Sequence, residues 1–376
     1  MSGENITKPI RVCFVMPKAY PLFNPSIEAV FGGSEVDLYY LATELARDRN
    51  FHVSFIVADY GQPEGEIRQN VRLIKSLNLK QNPMLGAWRI WQALSKADSH
   101  IYMLKTASPG TALTAYFCKN NQKIFLYRIA HRYECDGTCL RKHPILGKAF
   151  VWSLRQAQIV FSQNSDDSEL LKNTTGVSSQ LIPNGHSLPE ITQDNKRDII
   201  LWVGRTADFK QPQLFSELAR HLKNEQFTMI CQKATDDKDY MSLRKEAEQI
   251  KNLTFIKRVG FAEIDGYFRR AKVLVNTSEA EGFPNTFIQA GKWATPILSL
   301  NVNPDGFLDK YGCGLCAAGD WDKFVKMLGE LLDPATAQRY GRNGRRYAEE
   351  NHDIKKIVEE YKTIFRRLVG GMLSRS

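Results

Sequence analysis

VLVNTSEAEGFPNTFIQAGKWATPILSL, residues 273–300, reads as a strand, a loop, a helix and a second strand. Val273–Asn276 is a short apolar run with β-branched residues, the signature of a strand covered on both faces. Glu279 and Glu281 follow in a loop, and a Gly-Phe-Pro-Asn turn then opens a helix near Asn285 or Thr286 that runs to Trp293. Pro296–Ser299 is apolar again. A strand that feeds a helix that feeds a strand is the repeating unit of a parallel sheet, because parallel neighbours need a crossover of helical length.

The same rhythm runs outward in both directions. Upstream the strand candidates are Ile10–Met16, Phe51–Val57, Val71–Ile74, His100–Leu104, Lys123–Tyr127, Gln158–Ser162 and Gln180–Ile182. After Asp198 a fresh series starts with Ile199–Val203, Phe227–Cys231 and Thr254–Ile256. Helical patterns at Glu35–Arg47, Gln213–Lys223, Tyr240–Ile250 and Trp321–Leu332 lie between them. Two series predict an α/β chain of two doubly wound domains. The polar stretch Pro183–Asp198 is the boundary, giving domains at 1–190 and 191–353. Residues 354–376 form a tail whose Ile357, Tyr361, Ile364, Phe365 and Leu368 share one helix face. Ligands of such sheets bind at the carboxyl ends of the strands, so two domains facing each other would enclose a cleft.

Composition narrows the class. The 376 residues are 43% hydrophobic and 24% charged, a globular balance. No run is apolar and long enough to span a bilayer, and the first ten residues lack a signal-peptide core, so a cytoplasmic protein is expected. Seven scattered cysteines include Cys313 and Cys316 in YGCGLCAAG, which reads as strand and turn. Cys135 and Cys139 have only His143 nearby as a further zinc ligand, so core or surface cysteines are favoured over a metal site. The formal charge of +10 favours anionic partners without choosing among them.

Three segments bear chemistry. In LWVGRTADFKQP, Arg205 offers a planar fork of donors and Lys210 a mobile point charge, a pair suited to a diphosphate, although both also fit a solvated loop. In the opening segment, the helix start at Asn285 supplies free amides for phosphate, and Glu281 just before it can accept from sugar hydroxyls. The plainer reading makes Glu281 a dipole partner and Asn285 a cap. In FGGSE, Gly32 and Gly33 open a long helix and leave its first amides uncovered by any Cβ, as at many helix starts. Nucleophile elbow, HExxH and P-loop motifs are absent. Asp237 and Asp239, the one Asp-x-Asp, sit in the polar run KATDDKDY and read as a solvated loop, not a cation site.

Taken in order, these segments resemble glycosyltransferase family 4, a retaining GT-B family of two Rossmann-like domains facing a central cleft. EGFPNTFIQ matches the family's Glu-x7-Glu motif with Glu281 as the first acid, and Gln289 stands where the second belongs. The resemblance implies that Glu281 lies by the donor sugar and that Gln289 bonds the nucleotide ribose through an uncharged group. It implies that Arg205 and Lys210 grip the donor diphosphate, that Gly32 and Gly33 let backbone approach the donor phosphate, and that the backbone of Val259, Gly260 and Phe261 lies near the nucleobase. Gly282, Phe283, Pro284 and Asn285 complete the donor loop, and His131, after strand Lys123–Tyr127, points to the donor sugar. No metal and no cofactor are implied beyond the nucleotide-sugar co-substrate, and the C-terminal helix is implied to cross back to the first domain.

The implied acceptor is a glycan or a lipid-linked molecule. From Lys123 to Arg155 seven Lys or Arg face two acids, interleaved with Phe125, Leu140, Ile145, Leu146, Phe150 and Trp152. This stretch fits an anionic membrane surface and equally a solvated basic face over a core. Leu85–Leu94, with Trp88, Arg89 and Trp91, is a second candidate contact. Rival readings are a GT-B epimerase or phosphorylase and a non-catalytic nucleotide-sugar-binding module. Nucleic acid is not expected as a partner, since no RRM, KH or helix-turn-helix signature is present.

Overall fold

The computed structural model describes residues 8–191, 196–234 and 239–374. It divides into two units, the first made of the described residues up to Ser187 plus those from Ile354 onward, the second of Leu188–Asp353. Each is built on its own parallel sheet. Asp237 lies outside the described residues, and Asp239 directly precedes a helix.

The first unit has strands β1 (Ile10–Val15), β2 (Phe51–Val57), β3 (Ile67–Arg68), β4 (Val71–Lys75), β5 (Ile101–Lys105), β6 (Ile124–Arg128), β7 (Ile159–Ser162) and β8 (Gln180–Leu181). Its helices are α1 (Tyr20–Phe23), α2 (Gly33–Leu45), α3 (Pro83–Ala97), α4 (Pro109–Asn120), α5 (Thr138–Lys142), α6 (Pro144–Gln156) and α7 (Ser165–Thr175). The strand order is β3-β4-β2-β1-β5-β6-β7-β8, parallel except for the β3–β4 pair. The crossovers from β4 to β5, β5 to β6, β6 to β7 and β7 to β8 all step the same way along the sheet. Right-handed crossovers therefore lay α3, α4, α6 and α7 on one face. There Ile90, Leu94, Phe117, Phe150, Leu154 and Leu171 pack on Val15, Leu104, Tyr127 and Val160. Strands covered on both faces explain why β1, IRVCFV, is apolar almost throughout.

The second unit has β9 (Ile199–Arg205), β10 (Phe227–Gln232), β11 (Leu253–Ile256), β12 (Ala271–Asn276), β13 (Ile297–Ser299) and β14 (Gly314–Cys316). Its helices are α8 (Pro212–His221), α9 (Tyr240–Ala247), α10 (Ile264–Arg270), α11 (Asn285–Lys292), α12 (Phe307–Lys310), α13 (Trp321–Leu331) and α14 (Pro334–Asn351). The order β11-β10-β9-β12-β13-β14 is the doubly wound 3-2-1-4-5-6 pattern. The winding reverses at the β9–β12 boundary, the position where sheets of this kind bind ligands. One face is packed by Phe215, Leu243 and Phe324 of α8, α9 and α13. The other is packed by Phe268, Phe287 and Phe307 of α10, α11 and α12.

The tail is one helix, α15 (Ile354–Leu373), and it belongs to the first unit. Ile357, Val358, Tyr361, Ile364, Phe365 and Val369 are buried, while Leu368 sits at the margin of the stripe. The Tyr361 ring lies 5.1 Å from Phe161, and Phe365 packs on Phe51.

Beneath α2 the first unit buries a charged network. Asp37 Oδ2 accepts from Lys105 Nζ and Arg128 Nε, both at 2.7 Å. Arg128 also donates to the Ile182 carbonyl, to Asn184 Oδ1 and to Tyr361 Oη. Burial alone would raise the Asp37 carboxyl, but the two cations outweigh it and hold it at about 2. Arg128 thus leaves the basic surface that the stretch from Lys123 to Arg155 suggests. Phe125 and Phe150 leave it as well, for both are core.

Candidate active site

In the second unit, the loops after β9 and β12 flank the point where the winding reverses, and four contacts sew them together. The Thr277 hydroxyl donates to the Lys210 carbonyl at 2.7 Å and accepts from Trp202 Nε1 at 3.0 Å. The Glu279 amide donates to the Phe209 carbonyl at 2.7 Å, and Gln211 Nε2 donates to Glu279 Oε1 at 2.9 Å. The Lys210 ammonium donates to the Glu281 carboxylate, which also accepts from Ser278 Oγ at 2.9 Å. Gly204 makes room for this arrangement, since a Cβ there would stand 2.6 Å from the Trp202 ring.

Arg205 is the last residue of β9 and is exposed, paired in register with Gln232 of β10. Lys210 and Glu281 are mostly shielded, with side-chain exposures of 18% and 11%. The structure therefore brings Lys210 and Glu281 into contact and places Arg205 on the same strand-end edge. A lysine, a carboxylate and a guanidinium grouped there can bind a diphosphate and a polyhydroxylated group side by side.

The remaining residues expected around a donor divide by burial. Gly282, Phe283 and Pro284 are buried, and the Phe283 ring packs 5.0 Å from Phe307 and 4.8 Å from His352, so its side chain is part of the core. Asn285 is the first residue of α11, and Gln289 is half-buried one turn further on. Val259, Gly260 and Phe261 form the turn between β11 and α10. There the Gly260 amide donates to Glu263 Oε2 at 3.3 Å.

In the first unit, Gly32 caps α2 and Gly33 is its first residue. The Gly32 amide donates to Glu35 Oε2 at 2.8 Å, so of the two amides expected to meet a phosphate this one is held by the helix's own carboxylate. His131 follows β6 and is half-buried. Its Nδ1 accepts from the Tyr133 amide at 3.1 Å, which assigns the proton of the neutral ring to Nε2.

Sequence reasoning missed Glu134, three residues on. Its Oε1 accepts from the Ala107 amide at 2.9 Å, and its Oε2 accepts from the Ala130 amide and the Tyr127 hydroxyl. It ties the turn after β5 to the turn that carries His131. The β5 turn holds Thr106 at φ 77°, a conformation that costs a β-branched residue about 1–3 kcal/mol. Burial pushes the Glu134 carboxyl up to about 7 against the amide bonds that lower it. Thr277 and Ser278 were missed too; polar residues directly after a buried strand were the available signal.

Among the described residues no group of three His, Cys, Asp or Glu could hold a metal ion, and no helix is long and apolar enough to cross a membrane.

Residues 187–347 match the family model of glycosyl transferases group 1. A curated relative is the glycosyltransferase 1 domain-containing protein 1 of Xenopus tropicalis, 22% identical over 127 residues, which are 34% of this chain and 37% of that protein. The chain thus spans little more than a third of the length of the curated relatives it matches. Among solved structures, sucrose-phosphate synthase from Thermosynechococcus elongatus superposes with a TM-score of 0.78 at 17% identity, covering 96% of this chain and 100% of that one. WaaG, a glycosyltransferase involved in lipopolysaccharide biosynthesis, gives 0.69 at 14% identity, with 94% and 99% covered. These likenesses establish the GT-B fold of two Rossmann-like domains.

Proposed function

We propose, from the premise that residues 187–347 of this chain match the family model of glycosyl transferases group 1, that the protein is a retaining glycosyltransferase. It moves a sugar from a nucleoside-diphosphate sugar to a glycan or lipid-linked acceptor, in the making of a cell-envelope polysaccharide or glycoconjugate. The observation that carries this reading is the sewn pair of loops at the winding reversal of the second sheet, with Lys210 on Glu281 and Arg205 beside them.

In this reading the donor diphosphate takes the Arg205 fork and the Lys210 ammonium, with the α11 amides at Asn285 behind it. Lys210 exchanges its Glu281 partner for phosphate, which frees the carboxylate for the hydroxyls of the donor sugar. The bond from the anomeric carbon to the diphosphate breaks, and the electrons leave on the phosphate oxygen. The acceptor oxygen bonds to that carbon on the same face, and its proton passes to the leaving phosphate. Fixed positive groups stabilise the charge as it develops. Gln289 bonds the ribose, and the turn at Val259, Gly260 and Phe261 receives the base. No metal is assigned a part. The reaction belongs to the cytoplasm, with peripheral contact at the inner face of the membrane when the acceptor is lipid-linked.

Nucleoside diphosphate release from UDP-, GDP- and ADP-sugars, with a membrane-lipid extract as acceptor, tests this. Release from one donor, raised by the extract, is the expected result. Silence across the panel, with no thermal shift from any nucleotide, overturns it.

A further inference from the structure

Four consecutive helices of the first unit, α3, α4, α5 and α6, contain seven Lys or Arg and not one Asp or Glu. The next helix, α7, has Asp166, Asp167 and Glu169, so the bias is local. Among the described residues only Lys96 of the seven cations has a carboxylate within salt-bridge distance, that of Glu64.

The same helices expose apolar side chains in a repeated way. α3 opens with Pro83-Met84-Leu85-Gly86 and α6 with Pro144-Ile145-Leu146-Gly147. In both, proline takes the first position, the glycine is buried, and the two residues between them face water. Met84 is 83% exposed and Ile145 85%. Gly147 fixes the second case: a Cβ there would stand 2.7 Å from the Cys139 carbonyl, so the first turn of α6 sits tight on α5 and turns Ile145 and Leu146 outward.

Topology joins the two tips. Both helices lie on one face of the sheet, and both begin at the carboxyl ends of its strands, because each returns antiparallel to the strand before it. α4 fills the space between. The Trp91 ring of α3 lies 6.1 Å from Tyr116 of α4, and Lys119 of α4 lies over Trp152 of α6 at 5.9 Å. Trp88 and Tyr116 are both more than half exposed on this layer. Two stretches nearly sixty residues apart in sequence, around Trp88 and around Ile145, thus become one cationic surface, built on helices that hold no Asp or Glu and tipped with apolar side chains.

We propose that this α3–α4–α6 surface docks on an anionic lipid bilayer. Its chemistry has the two parts such a surface takes: aliphatic and indole groups that enter the acyl boundary, and long cations at headgroup level. A protein partner would seat its anchors in pockets, whereas Met84 and Ile145 project from helix starts. A nucleic acid would use the cations and leave the apolar tips in water. The inference stands on the first unit alone and adds to the transferase reading the place where the enzyme would meet a lipid-borne acceptor.

The test is flotation of the full chain with vesicles of phosphatidylcholine, pure or mixed equally with phosphatidylglycerol. The chain should float with the mixed vesicles and stay down with the neutral ones. Trp88→Ser with Ile145→Asn, and separately Lys119→Glu with Lys148→Glu, should each lower the bound fraction about tenfold, the second effect fading as salt is added. All four sites are exposed, and unchanged melting temperatures would certify the fold. Failure of the unmodified chain to float at low salt overturns the proposal, as does flotation of both double variants at the original level. Binding to a soluble polyanion such as heparin as tightly as to vesicles, untouched by the Trp88 and Ile145 changes, also overturns it in favour of a polyanion site. Donor turnover is followed in the same preparations without lipid, so loss of the transferase reading and loss of the docking surface register separately.

Discussion

Arg128 and Arg205 occupy the same place in two different sheets, each the last residue of a parallel strand. One is 1% exposed, locked on Asp37 with Lys105, Asn184 and Tyr361 around it; the other is open to solvent. Strand ends of a doubly wound sheet are where ligands bind, so either arginine qualified by position alone. The difference is what stands above them. In the first unit α2 and α15 cover the strand ends at Lys105 and Arg128 and supply Asp37 and Tyr361 as permanent partners. In the second unit the partner of Lys210 is Glu281, a side chain on a loop. A charge with fixed, buried partners holds a fold together, and a charge with a partner it can exchange is available to a ligand.

The widest separation should come from truncating Arg128. Arg128→Ala leaves Asp37 with a single cation in a dry site and should cost about 3–5 kcal/mol in urea unfolding. A loss below 1 kcal/mol would equate the two arginines and break the contrast. Arg205→Ala should do the reverse: kcat/KM for the donor falls at least about a hundredfold, with the urea midpoint unchanged. Full turnover in that variant would remove Arg205 from the phosphate grip.

Acid sharpens the contrast further. The folded Asp37 carboxyl is depressed to about 2 from an ordinary 3.8. Its contribution is complete above the ordinary value and disappears as pH falls through 3.8 toward 2, since the unfolded chain takes up the proton first. Urea midpoints should therefore fall across that window, and the fall should be shallower in Asp37→Asn. The smallest effect belongs to α11. Gln289→Glu should keep donor affinity within a few-fold or raise it, because either side chain can accept from a ribose hydroxyl. A large loss, measured by donor titration, would mean the amide's N–H groups are what the position uses.

Much of the fold was legible. Both ends of β2 follow from the sequence, and most other strands fall within one or two residues, because strands buried on both faces are written as apolar runs. β3 escaped: Ile67–Arg68 is two exposed residues, closed by a tight turn with Gln69 at φ 51° and Asn70 at φ 63° in place of the usual Asn-Gly. β9 and α2 each extend beyond their expected limits, into Arg205 and back to Gly33, since strand pairing and capping are set by neighbours as well as by pattern. The candidate site was readable where a residue type implies its own chemistry, as for Arg205, Lys210 and Glu281. It was not readable where partners decide. Nothing in the letters YEC or YRIA says that Glu134 ties two turns or that Arg128 is buried, because both facts depend on residues far along the chain. The string RYECDG holds a glutamate like any other.

The helix from Ile354 to Leu373 has a consequence for how the chain is made. β1 leaves the ribosome well before α15, yet both belong to the same unit, with Tyr361 completing the bonds of Arg128. Residues 188–353, an insertion between two parts of one core, are all available before that core has its final helix. Synthesis thus inverts the usual order: the unit begun second is the first that can finish, and the first must wait until α15 has emerged.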